Sequence, residues 1–217
     1  MTNFFDVFIT GYMENKTRIP QQERSKETKQ NILKAGLTLF SEKGFYKTNS
    51  KEIAREAGVS IGSFYLYFKN KKDLFKELLL DYHKKIHSVL EDIEIETFIK
   101  AGERKEFLRY LINKLIESHE IYPQFHQEIH VMAQSDPEFS KIIEFSKTLS
   151  YKITKSMMAV WKEQLRIENI DAAAIVVQTS TEEIVHKLLF SLSKRQGKKV
   201  IDELTDMLYR YLFNDST

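Results

Sequence analysis

Among residues whose types and spacing could do chemistry, the histidines come first. His126-Gln127-Glu128-Ile129-His130 sets two imidazoles four residues apart with a carboxylate between them. That is the outline of a zinc-hydrolase helix, in which a glutamate directly after the first histidine activates water. Here Gln127 holds that place and Glu128 comes one residue later, about 100° further round a helix, so the hydrolytic reading fails. His83 and His87 repeat the four-residue spacing, but the sequence identifies no third ligand, and a zinc- or nickel-responsive site stays an alternative. The chain has no cysteine, which removes thiol chemistry and a disulfide framework and suits a reducing cytoplasm. It has no phosphate-cradling glycine loop and no nucleophile elbow. It is therefore expected not to be an enzyme, with no catalytic residue, metal or cofactor.

The remaining chemistry is non-covalent and sits in the run GFYKTNSKEIAREAGVSIGSFYLYFKNKKDLF, from Gly44 to Phe75. Lys51, Lys69 and Lys71 can neutralise phosphates, helped by backbone amides at helix starts near Ser50 and Ser60. Tyr65 and Tyr67 can donate hydroxyls to phosphate from rigid rings. Asn49, Ser60, Ile61 and Ser63 are short enough to reach base edges or a thymine methyl, and Gly62 lets a helix backbone approach a groove; Thr48 is a further candidate DNA contact. Each also has a purely structural reading: Tyr65 packing on the first helix, Ser60 acting only as a cap, Ile61 sealing the turn.

These residues need two short helices and a tight turn to hold them. Ser50 to Ala57 places Ile53, Ala54 and Ala57 on one face, and Gly58 stands where a left-handed residue ends a helix. Val59 can plug the corner. Ser60 then caps a second helix whose Phe64 and Phe68 face a core, leaving Ile61, Gly62, Ser63, Tyr65 and Tyr67 outward or at the edge. A preceding helix carries Ile32, Leu33, Ala35, Leu37, Leu39 and Phe40 and stops at Lys43-Gly44. A following one begins near Asp73 with Leu74, Phe75, Leu78, Leu79 and Tyr82. The turn is short enough only for a helix-turn-helix.

A first helix ending in LFSEKGFYKTN, followed by IAREAGVSIGSFYLYFKNKKDLF, resembles the DNA-binding region of TetR/AcrR-family bacterial transcriptional regulators over about Ile32 to Leu79. Several fixed spacings carry the resemblance, so it is far more specific than a lone short motif. Two departures bear on operator sequence: Asn49 replaces the second threonine of a frequent pair, and Tyr67 replaces a frequent histidine. The resemblance implies an all-α protein with an N-terminal three-helix head at 23–71 and a helical effector-binding and dimerisation domain at 72–217. It further implies a repressor that binds a palindromic double-stranded operator as a dimer and is released by a small apolar or aromatic effector. A metal-responsive regulator or a ligand-free DNA-organising factor on the same scaffold are the alternatives.

Charge supports the reading independently. Glu23 to Lys72 holds eleven Lys/Arg against five Asp/Glu, a surplus of six. With Met1 to Gln22 neutral and the whole chain at +2, the remainder is net −4, so one end is suited to phosphate. No apolar stretch reaches the roughly 18 to 20 residues of a bilayer crossing, and a cytoplasmic protein is expected. Residues 1–22 are read as an unstructured extension. Phe4, Phe5, Val7, Phe8 and Ile9 lack the basic start and cleavage site of a secretory signal, translation starting at Met13 is an alternative, and Lys16, Arg18, Arg24 and Lys26 could reach a minor groove.

Beyond the head, apolar periodicity predicts helices at Lys72–Ile95, Lys105–His119, Tyr122–Gln134, Pro137–Glu168 with a possible break, Asp171–Ser193 and Lys198–Phe213, with another break at Ala101-Gly102. In the penultimate helix, Ala173, Val177, Ile184 and Leu188 form one stripe, and Ile175, Val176, Leu189 and Phe190 belong to another. In the final helix, Val200, Leu204, Met207, Leu208 and Tyr211 form a continuous face. The resemblance implies that these two helices pair with their copies in a four-helix bundle; the same stripes also fit an intramolecular bundle. Aromatic walls with a few polar groups suit an apolar effector of unknown identity. Tyr122, Phe125, His126, His130, Trp161, Gln178 and Glu182 are the candidate contacts, and an interior hydrogen bond explains the polar ones equally well.

Overall fold

The computed structural model describes residues 23–91, 102–120 and 122–214. The extension at 1–22, with Lys16 and Arg18, lies outside the described residues, as do Ile95 and Ala101. Among the described residues the chain forms nine α-helices: α1 Glu23–Lys43, α2 Ser50–Glu56, α3 Ile61–Tyr67, α4 Lys71–Glu91, α5 Arg104–His119, α6 Pro123–Ser135, α7 Pro137–Val160, α8 Ile170–Phe190 and α9 Lys194–Leu212. A 3-10 turn at Lys162–Gln164 follows α7, and one antiparallel bridge joins Leu165 to Phe213. The described residues contain no longer strand, as the all-α reading requires.

Local signals place most helix ends. Gly44 and Gly58 adopt left-handed φ of 79° and 68°, a conformation that glycine takes without a Cβ clash. Asn49, Ser60 and Asn169 each cap the following helix by accepting a backbone N–H. Ser193 and Gln196 form a capping box, so α9 begins four residues before the predicted Lys198. The periodicity missed that first turn because Lys194 to Gly197 is polar; the sequence signal was the Ser-x-x-Gln cap itself. The possible break in the long seventh helix becomes an end at Val160, with Trp161 leading into the 3-10 turn.

The chain packs as two compact units. The described part of the first is 23–84 with 122–143, so the packed unit holding the head runs well past Lys71. The cause is aromatic. Phe75 of α4 meets Phe40 and Phe45 at ring-centroid distances of 5.2 and 5.5 Å, and Phe125 of α6 and Phe139 of α7 close on it at 5.1 and 5.2 Å. Edge-on and tilted pairs of this kind add to the burial of large apolar rings. Ile32, Ile53, Phe64, Phe68, Leu74 and Leu79 are buried in the same unit.

The described part of the second unit is 85–91, 102–120 and 144–214. Its core gathers Phe107, Leu108 and Ile112 of α5, Met158 and Trp161, Ala173 and Ala174 of α8, Leu204, Leu208 and Leu212 of α9, and Phe213. The Arg109 guanidinium bonds Asp202 at 2.5 Å and Lys105 bonds Asp206 at 2.6 Å, tying α5 to α9 along the edge of this core.

Candidate nucleic-acid interface and internal cavity

The head presents a patch of chemically suitable side chains. Asn49, Lys51, Arg55, Ser60, Gly62, Tyr65 and Lys69 are exposed, and Ser50, Ile61 and Ser63 are half-buried. Phe64 and Phe68 fix the patch from beneath at 0% and 1% exposure. Two members carry a local task as well. The Asn49 Oδ1 accepts from the Glu52 N–H at 3.0 Å, and the Ser60 Oγ accepts from the Ser63 N–H at 3.0 Å while lying 2.9 Å from the Ser63 hydroxyl. Each cap oxygen satisfies a backbone N–H in the first turn of its helix and so fixes where that helix starts.

Three sequence-predicted contacts turn inward. Thr48 is 1% exposed, and its hydroxyl donates to the Gly44 and Leu39 carbonyls at 2.9 and 3.3 Å; it braces the α1–α2 loop and is not on the surface. Tyr67, expected at the outer edge, is 9% exposed with its hydroxyl 2.9 Å from the Ser25 Oγ of α1. Lys71 is half-buried, donating to the Phe45 and Thr48 carbonyls at 2.7 Å each and lying over the Phe45 ring. Burial pushes its pKa down. Its positive charge stabilises the loop that launches α2, where the sequence had assigned it to phosphate.

Other residues were missed. Tyr46 is 65% exposed and Lys47 is also exposed, both within the same sequence run, and Leu66 of α3 is 51% exposed. Leu66 lies four residues after Gly62 and so shares its helical face; that spacing was legible. Glu128 was not. From α6, its carboxylate accepts the Phe45 N–H at 2.6 Å, and a Cβ at Gly44 would come 3.1 Å from the same group. The loop 44–48 is thus held on its N–H side by Glu128 and on its carbonyl side by Lys71. At the far end of α6, Lys72 bonds Asp136 at 2.6 Å and Lys76 bonds Glu138 at 2.6 Å. The lysine partners hold both carboxyls below their usual pKa range.

The second unit holds a partly open cavity of about 110 Å³. Its walls are apolar side chains of α5, α7, α8 and α9, including Leu111, Ile112, Met157 and Val177. Of the predicted effector contacts, Trp161, Gln178 and Glu182 line it. Phe125, His126, His130 and Tyr122 do not, because α6 packs in the first unit. Phe125 is spent on the Phe75 ring. The His126 Nδ1 lies 2.6 Å from the Tyr82 hydroxyl and its Nε2 lies 3.1 Å from the His130 Nε2. Tyr122 stands immediately before α6 at its N-cap.

Polar groups at the cavity are few. The Gln178 Nε2 donates to the Glu182 carboxylate at 3.0 Å and to the Lys147 carbonyl at 2.9 Å, and burial raises the Glu182 pKa. Trp161 is 3% exposed and its indole N–H has no hydrogen-bond partner among the described residues. Elsewhere in this unit the His87 Nε2 lies 3.0 Å from the Ser146 hydroxyl, and burial, aided by nearby His119, pushes the His87 pKa down to about 4.

Comparison with known proteins gives two domain matches. Residues 32–78 match the bacterial regulatory proteins of the tetR family, and residues 105–212 match the tetracyclin repressor-like C-terminal domain. The chain is 27% identical to the uncharacterized HTH-type transcriptional regulator YdgC of Bacillus subtilis, over 68% of each chain. It is 36% identical to the HTH-type transcriptional regulator AcrR of Shigella flexneri, over 49% of this chain but only 46% of that protein. Among solved structures, NalD, the secondary repressor of the MexAB-OprM multidrug efflux pump in Pseudomonas aeruginosa, superposes with a TM-score of 0.67 at 20% identity, covering 90% of this chain and all of that one. At that identity the likeness shows the fold. No helix among the described residues is long and apolar enough to cross a membrane.

Proposed function

Starting from the premise that this chain belongs to the TetR family of DNA-binding transcriptional regulators, we propose that it is a homodimeric repressor that binds a palindromic operator in the cytoplasm and is released by a small apolar or aromatic effector. The observation that carries the DNA reading is the α3 face of Gly62, Tyr65 and Leu66, open to solvent and flanked by exposed Lys47, Lys51, Arg55 and Lys69. Lysine and arginine would supply salt-sensitive affinity, and the short and apolar α3 residues would read base edges.

Exposed apolar residues on the last two helices support dimerisation. Ile175 and Val176 of α8 are 56% and 49% exposed, and Met207 and Tyr211 of α9 are 46% and 37% exposed. Such side chains favour burial against a copy, and a two-fold pair of heads reads enough base pairs to specify a site. The cavity supports effector control. An effector that favours a DNA-incompatible spacing of the two heads lowers operator affinity by its differential affinity for the two states, with movement of α4 as the lever.

Selection of bound duplexes from a random pool, followed by footprinting, tests the reading. Two half-sites about one helical turn apart are expected. Recovery of no preferred sequence by a protein that sediments as a monomer would overturn it.

A further inference from the structure

The cavity of the second unit has an uneven chemistry. Its walls are almost wholly apolar, and its lining includes no lysine, arginine or histidine. Among the described residues, Glu182 is the one ionisable side chain on it. One Glu182 oxygen takes the Gln178 amide, and the other carries no hydrogen bond within the described residues. Trp161, also on the lining, offers an aromatic surface and a buried N–H with no acceptor.

We propose that this cavity selects organic cations: molecules with an apolar, ring-sized body and one protonated nitrogen, the nitrogen facing Glu182 and the body resting on Trp161. The assignment rests on the reading of the cavity as the effector site and gives that effector a charge. An anionic effector such as a fatty carboxylate would lie beside a carboxylate with no basic group on the walls to offset the repulsion. A neutral apolar molecule would fill the volume but leave the half-buried Glu182 carboxyl with no cation inside the cavity, only the charge of Lys147 acting on it from outside the lining. A cation gains the carboxylate and, over the indole, an attraction to the ring face. Size limits the body. The cavity's 110 Å³ is below the roughly 150 Å³ of an engineered apolar cavity that takes up benzene, so a ring enters by displacing the flexible Met157 and Met158 side chains, which yield readily.

Trp161 is the only tryptophan of the chain, so its emission reports occupancy directly. The full-length protein is titrated with phenethylammonium, with propylbenzene as a neutral counterpart and with 3-phenylpropanoate as an anionic one. The expected order is cation, then neutral, then anion, with the cation favoured over the neutral molecule by about tenfold, which corresponds to about 1.4 kcal/mol. E182Q is expected to abolish that preference while leaving propylbenzene binding in place. Equal binding of the three, preference for the anion, or no emission change with any of them overturns the proposal on the wild-type protein alone, whether or not E182Q folds. Operator binding is followed in parallel. A cation that binds with the expected preference yet leaves the protein on its operator supports the cation assignment and defeats the effector reading.

Discussion

At the scale of single residues, two lysines of the same sequence run have opposite jobs. Lys51 is exposed on α2, whereas Lys71 is bound to two backbone carbonyls. Lys51→Ala is expected to weaken operator binding across all sequences and to reduce the slope of log affinity against log salt by about 0.9. Thermal stability should hold. Lys71→Ala is expected to leave the salt slope nearly unchanged and to lower unfolding free energy by about 1–3 kcal/mol, since two part-buried carbonyls lose a charged donor; urea denaturation beside the salt titration separates the two. His87 gives a pH signature. Its pKa of about 4 in the fold, against about 6.5 unfolded, means the unfolded chain binds the extra proton between those values. The stability it contributes is complete above about pH 6.5 and is lost as pH falls toward about 4, to a total of about 3 kcal/mol. Urea midpoints measured across that window should fall with pH, and should fall less steeply in His87→Asn.

At the scale of elements, the helix that matters most to the head beyond its own three is α6. Glu128 grips the Phe45 N–H on the loop that starts α2, and Gly44 leaves the room for it. Glu128 is therefore a positioning residue for the reading surface without being part of it. Glu128→Ala is expected to weaken operator binding about tenfold, the effect of losing a charge-assisted hydrogen bond of roughly 1.5 kcal/mol, with an unchanged salt slope and faster hydrogen exchange at the Phe45 amide. Glu128→Gln keeps an acceptor oxygen and should restore most of the affinity. Failure of glutamine to do better than alanine would show that the carboxylate only fills space.

At the scale of the whole molecule, the proposed assembly depends on the apolar residues that α8 and α9 leave in solvent. Val176→Glu puts a charge on that face at a position already 49% exposed in one chain, so the isolated subunit should fold with a nearly unchanged melting curve. Sedimentation should then show a monomer, and binding to a two-half-site operator should fall far more than binding to a single half-site. A variant that stays dimeric would place the interface elsewhere.

The sequence by itself determined the helical class, the helix-turn-helix and its Ser60 cap, because a capping oxygen, left-handed glycines and apolar periodicity act within a few residues of one another. It placed Phe64 and Phe68 in the core and left Tyr65, Gly62 and Lys51 outside for the same reason. Of its candidate effector contacts, Trp161, Gln178 and Glu182 line the cavity of the second unit. Only the tertiary structure decided that Thr48, Tyr67 and Lys71 are bracing groups, that Phe125, His126 and His130 serve the first unit and not the cavity, and that Glu128 reaches the head. Those outcomes depend on packing between residues far apart in the chain, Phe125 against Phe75 and Glu128 against Phe45. Local spacing carries no record of which distant ring or carbonyl a side chain will meet.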